Sequence, residues 1–177
     1  MAEELGPFGG KLFNQLSLRE YYDKKETFQA HLLDQYKLYV EMADRISSRR
    51  QSANSYFLSI NTALLGFIGY IGGKEPTIYL SLVATAGVAL SYLWYRIIRS
   101  YRGLNRAKFL VIHEIEKRLP ISPYDAEWEA MGRGDDPKLF KPFTHIETGV
   151  PWVFLALHAV VLVKSFSWTA VRTWFCP

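Results

Sequence analysis

The sequence predicts an all-α integral membrane protein with three transmembrane helices, the first two forming a long antiparallel hairpin with cytoplasmic helical extensions. Three observations lead there. Apolar residues are gathered into the blocks Ser55 to Gly72, Ile78 to Ile98 and Val150 to Trp168, each near the roughly 20 residues that cross about 30 Å of hydrocarbon as a helix. The apolar spacing of the first two blocks continues beyond them into charged sequence at three- and four-residue intervals. Basic residues gather at one end of each block.

The averages conceal this pattern. With 177 residues, 49% of them hydrophobic, the chain has the composition of an ordinary soluble domain. Three wholly buried helices in a soluble protein would leave too little chain to surround them, which favours the membrane.

Residues 1–25 form an N-terminal cytoplasmic segment. Its opening, "MAEELGPFGG", has Glu3 and Glu4 where a signal peptide has basic residues, so no cleaved leader is expected. From Glu26 the positions Leu32, Tyr36, Tyr39, Ala43 and Ile46 keep a four-three spacing, which Arg50, Ala53, Phe57, Ile60 and Leu64 continue. The expectation is one helix over 26–72, stalk first and transmembrane second. The second helix, 78–119, mirrors it: Tyr101, Leu104, Val111 and Ile115 carry the apolar stripe beyond the membrane, and Pro120 stops it. A tight turn from Gly72 to Thr77 joins the two.

Residues 120–148 read as an ordered cytoplasmic loop around a short helix at Asp125 to Met131, anchored by Tyr124, Trp128, Leu139, Phe140 and Phe143. The third transmembrane helix is expected over 149–168, with Pro151 in its first turn, and 169–177 as an external tail.

Charge placement sets the topology. Arg45, Arg49 and Arg50 precede the first block, Arg96 lies near the end of the second and Arg99, Arg102, Arg106 and Lys108 follow it, and Lys138 and Lys141 precede the third. Only Lys74 lies in the first turn. The positive-inside rule puts the N-terminus in the cytoplasm and the C-terminus outside. The net charge of +4 is then explained by topology and contact with anionic headgroups, not by nucleic acid.

Asn54 and Asn61 fall within about 40° of Arg50 and Ala43 on a wheel of 100° per residue. They face protein, either bonding another helix or lining a polar cavity. Small residues give close-packing faces, Ser59, Ala63 and Gly66 on the first helix and Ser81, Thr85 and Ala89 on the second, which points to a homo-oligomer. On the third helix Lys164 is near enough to the end to snorkel, whereas His158 sits at mid-depth as a packing histidine or a group with a proton-relay or gating role.

Other chemistry is disfavoured. His113 with Glu114 and Glu116, and His145 with Glu147, lack metal-ligand spacing, so no metal or cofactor is expected. There is no nucleophile elbow and no Walker loop, and the lone cysteine is Cys176, so an enzyme is not expected. "GRGDDPK" is a turn.

The segments "RISSRRQSANSYFLSINTALL", "RLPISPYDAEWEAMGRG" and "PFTHIETGVPWVF" resemble the RipA-like family of small octameric bacterial inner-membrane proteins. The hairpin is also similar, more weakly, to two-span SLATT-type membrane effectors. The first resemblance implies a non-enzymatic ring and marks Trp128, Thr144, His145 and Glu147 as motif positions. The combined expectation is a homo-oligomer that partners itself and membrane lipids. It would be channel-like or an effector gated by its stalk, or else a non-conducting scaffold for envelope proteins or lipids.

Overall fold

The computed structural model describes residues 9–13, 25–72, 77–134 and 144–165. Every regular element among them is helical: α1 (Gly9–Leu12), α2 (Lys25–Ile71), α3 (Thr77–Glu116), α4 (Pro123–Ala130), a 3₁₀ turn (Gly132–Gly134) and α5 (Thr144–Ser165). The expected turn at 73–76, the anchors Leu139, Phe140 and Phe143, and the tail 169–177 lie outside the described residues.

α2 is 47 residues long. No proline interrupts it and its first glycine is Gly66, so nothing in the sequence breaks the backbone ladder before the glycine-rich end. There the Gly72 N–H closes the last turn on the Ile68 carbonyl at 2.9 Å. α3 ends at Glu116 by tightening, with Arg118 and Leu119 N–H groups donating to the Ile115 and Glu116 carbonyls just before Pro120. α4 starts on Pro123, whose missing donor costs nothing in a first turn. α5 starts at Thr144, earlier than expected, which leaves Pro151 inside the helix.

The chain divides into two compact units. One comprises 1–48 and 102–142, the other 49–101 and 143–177. In the first, the buried apolar side chains are Leu32 and Ala43 of α2 and Ile112 and Ile115 of α3. The stripe on α3 departs from the expected one, because Leu104 is 49% exposed. Asn105, Lys108 and Ile112 turn inward at the three- and four-residue steps that follow from Ile98 and Tyr101. The Lys108 ammonium lies 4.4 Å from the Tyr39 ring centre, so its polar tip packs on an aromatic face.

In the second unit Phe57, Trp94 and Ile98 form the core, with Ile60, Leu90, Val150 and Phe154 against them. Trp94 joins the three helices, stacked on Phe57 of α2 at 6.0 Å and tilted against Phe154 of α5 at 6.1 Å. Two helices are long and apolar enough to cross a membrane, Ile78–Glu116 and Ile146–Ser165. The first expected span is not among them, because Asn54, Asn61 and the serines of α2 dilute its apolar run.

Candidate functional site

Two buried polar arrangements stand out, one in each unit. In the second unit α3 turns Ala84, Gly87, Ser91, Trp94 and Ile98 inward, alternating three- and four-residue steps along one face. Both asparagines of α2 meet that face. Asn54 Oδ1 accepts the Trp94 Nε1–H at 2.9 Å. Asn61, fully buried, accepts the Ser91 hydroxyl at 2.9 Å and donates its amide to the Phe57 carbonyl at 2.8 Å. A polar group at this depth needs a partner, and here it finds one on a neighbouring helix of its own chain.

The same helix trio is pinned at both ends. The Ser81 hydroxyl donates to Ser165 Oγ at 3.0 Å, joining the start of α3 to the end of α5. At the start of α5, Glu147 Oε2 stands 3.5 Å from an Arg50 guanidinium nitrogen of α2, both side chains 24% exposed. His158 of α5 is fully buried, and neither ring nitrogen has a hydrogen-bond partner among the described residues.

The small residues of the expected seams lie elsewhere. Ser59, Ala63 and Gly66 are exposed on α2, and a Cβ on Gly66 would meet nothing within 4 Å. Thr85 and Ala89 are exposed on α3, with the Thr85 hydroxyl donating back to the Ser81 carbonyl. Asn54 and Asn61 therefore point into the chain and the small residues of α2 point out of it. Of the motif positions, Thr144 and His145 sit in the first turn of α5, their side chains outside the described residues.

In the first unit the centre is Glu116, the last residue of α3, which is 0% exposed. Its Oε1 accepts the Tyr36 phenol at 2.8 Å and the Tyr124 N–H at 3.0 Å, and its Oε2 accepts the Asp125 N–H at 3.1 Å. Ser122 makes no side-chain cap; the carboxylate of Glu116 supplies the acceptors at the N-terminus of α4 instead, where negative charge is favoured. One side chain so clasps α2, α3 and α4. Burial first, and then the bond to Glu116, pushes the Tyr36 phenol above its usual range.

Trp128 lies on α4 beside the turn that follows it. Gly134 adopts φ +82°, and a Cβ there would come within 3.1 Å of the Trp128 ring, so glycine is required twice over. Sequence reasoning missed Tyr36 and Glu116 as a pair, and Ser91, Trp94 and Gly87 as partners of the α2 and α5 polar groups. The inward spacing of α3 was the available signal for the last three. Among the described residues no group of three His, Cys, Asp or Glu is placed to hold a metal ion.

Two helices long and apolar enough to cross a membrane, with Asn54, Asn61 and Ser91 bonded from helix to helix, are features of a helical membrane protein. The chain matches the octameric membrane protein family (8xMP) over residues 33–167 and belongs to that family, which implies that it works as a homo-oligomer. No curated protein and no solved structure matches it.

Proposed function

We propose that the chain is a subunit of a non-conducting ring in the bacterial inner membrane, which acts by organising lipids or other envelope proteins and not by catalysis. The observation that carries this reading is the state of Asn61: fully buried, with its amide and carbonyl both bonded inside its own chain. The fully buried polar side chain of the α2 span is used to hold α2 against α3. The exposed Ser59, Ala63 and Gly66 face is the one open to a neighbouring copy. In this reading α2 from Arg49 onward is the first of three spans, side by side with the two apolar helices of the same unit, with the N-terminus cytoplasmic and the C-terminus external. The exposed arginines on α3, Arg96, Arg99, Arg102 and Arg106, meet anionic headgroups.

A second reading, a channel-like effector gated by its cytoplasmic part, is favoured by one observation. α2 runs unbroken for 47 residues from the helix that meets the Glu116 clasp into the span, and its exposed face includes Ser55, Ser59 and Thr62. Ion and dye flux across liposomes holding the purified assembly separates the two. The scaffold reading expects no flux above empty vesicles under any voltage, pH or stalk mutation; conductance that Ser59→Leu or Thr62→Leu reduces would replace it with the channel reading.

A further inference from the structure

His158 is a buried titratable group that the polar seam leaves unused. Its side chain is 0% exposed, and neither Nδ1 nor Nε2 has a partner among the described residues. The ring occupies a notch that exists only because residue 87 is glycine. A Cβ on Gly87 would stand 2.3 Å from Nδ1 and 2.4 Å from both Cγ and Cε1, where no contact of that kind is tolerated. α3 and α5 thus approach one another around an imidazole seated on bare backbone.

The surroundings offer that ring no counter-charge. α2 has no Asp, Glu, Lys or Arg from Gln51 to Ile71, α3 has none from Ile78 to Tyr95, and α5 has none from Thr148 to Val163. The other titratable groups on these stretches are tyrosines: Tyr56, Tyr70, Tyr79 and Tyr92 are exposed, and Tyr95 is half-buried. The flanking charges are the exposed Lys164 and Arg96 and the Arg50–Glu147 pair at the start of α5. Ser91, one turn along α3 from Gly87, already donates to Asn61.

We propose that His158 is a proton-binding site whose charging drives α3 and α5 apart at the Gly87 notch. A neutral ring is held there by close packing with glycine. An imidazolium has two N–H donors and a full charge to satisfy, and among these helices it can do so only by leaving the notch for water. Histidine is the side chain whose charge ordinarily changes in the mildly acidic range, so acid is the natural trigger. The proposal does not depend on whether the ring conducts.

The test uses the full chain in nanodiscs on a Cys176→Ser background, diluted with unlabelled copies. Spin labels at Leu82→Cys on α3 and Val160→Cys on α5, both exposed positions, report the separation of the two helices. A single distance is expected at about pH 7.5, joined by a longer one at about pH 5 as the imidazole nitrogen resonances move to those of the charged ring. His158→Gln keeps the shorter distance throughout. Gly87→Ala, which retains the histidine but fills its notch, shows the longer distance already at neutral pH and keeps the test decisive where His158→Gln does not assemble. A wild-type distance that stays single in acid, a His158→Gln variant that responds as the wild type does, or a Gly87→Ala variant with the short distance at neutral pH would each overturn the proposal.

Discussion

The phenol of Tyr36 donates a 2.8 Å hydrogen bond to the carboxylate of Glu116, joining residues 80 positions apart in the chain. Because the same carboxylate accepts the Tyr124 and Asp125 N–H groups, the start of α4 depends on a residue that precedes it by seven positions and is steadied by one on another helix. The first unit is therefore organised around a buried charge whose hydrogen-bond donors converge from a side chain and two backbone groups.

Tyr36→Phe removes one donor while leaving two, and is expected to cost about 1 kcal/mol. Glu116→Gln turns an NH₂ group toward backbone donors and is expected to cost more, about 2 to 3 kcal/mol, because at least one partly buried N–H loses its acceptor. Hydrogen exchange at the Tyr124 and Asp125 amides checks both. Exchange should quicken strongly in Glu116→Gln and slightly in Tyr36→Phe, with the amides of α5 unaffected.

Alkali should act on the same contact. Burial, followed by the Glu116 hydrogen bond, raises the folded-state pKa of Tyr36 above its usual 10.0. The stabilisation is fully present below that unfolded value and is lost as pH rises from there toward the folded one, since the unfolded chain gives up the proton first. An ultraviolet titration of the wild type against Tyr36→Phe should show the Tyr36 phenol ionising above its usual range. Tyr36→Phe should remove that late step and flatten the decline in stability above about pH 10.

The Asn61–Ser91 bond tests whether the polar seam serves packing. Hydrogen bonds between helices in membranes are worth about 0.6 to 2 kcal/mol. A double-mutant cycle of Asn61→Leu and Ser91→Ala, followed by unfolding in detergent, should give a coupling of about 1 kcal/mol. Membrane permeability should be the same in all four proteins.

Arg50 and Glu147 are partly sheltered, 24% exposed each, and stand at 3.5 Å. Either Arg50→Gln or Glu147→Gln is expected to weaken the α2–α5 contact by about 1 kcal/mol. The exchanged pair Arg50→Glu with Glu147→Arg should recover part of that loss, and recovery should shrink at high salt.

Much of the helical architecture was legible in the sequence because its causes are local. The absence of glycine and proline before Gly66, with the four-three spacing from Leu32, specifies a long α2, and Pro120 and Pro123 mark the boundary between α3 and α4. The wheel angle of Asn54 and Asn61 showed that they share a face with Arg50, but it could not name Trp94 and Ser91, since a partner across helices depends on register. The α3 stripe was misjudged at Leu104 because Asn105 and Lys108 look too polar for an inward face; Lys108 is accommodated by the Tyr39 ring, which periodicity does not reveal. Glu116 was read only as a poor metal ligand. Its partners are Tyr36, 80 positions back, and two backbone N–H groups whose direction depends on how the chain turns at Pro120 and Pro123.

The central claim is that copies of this chain close into a ring while the polar residues of α2 stay committed within each copy. A single-particle image of the solubilised assembly tests it most directly. The expected result is a symmetric ring in which Asn54 and Asn61 face α3 of their own chain and Ser59, Ala63 and Gly66 face a neighbour. A monomer, or a ring in which Asn61 faces a water-filled centre, would contradict it.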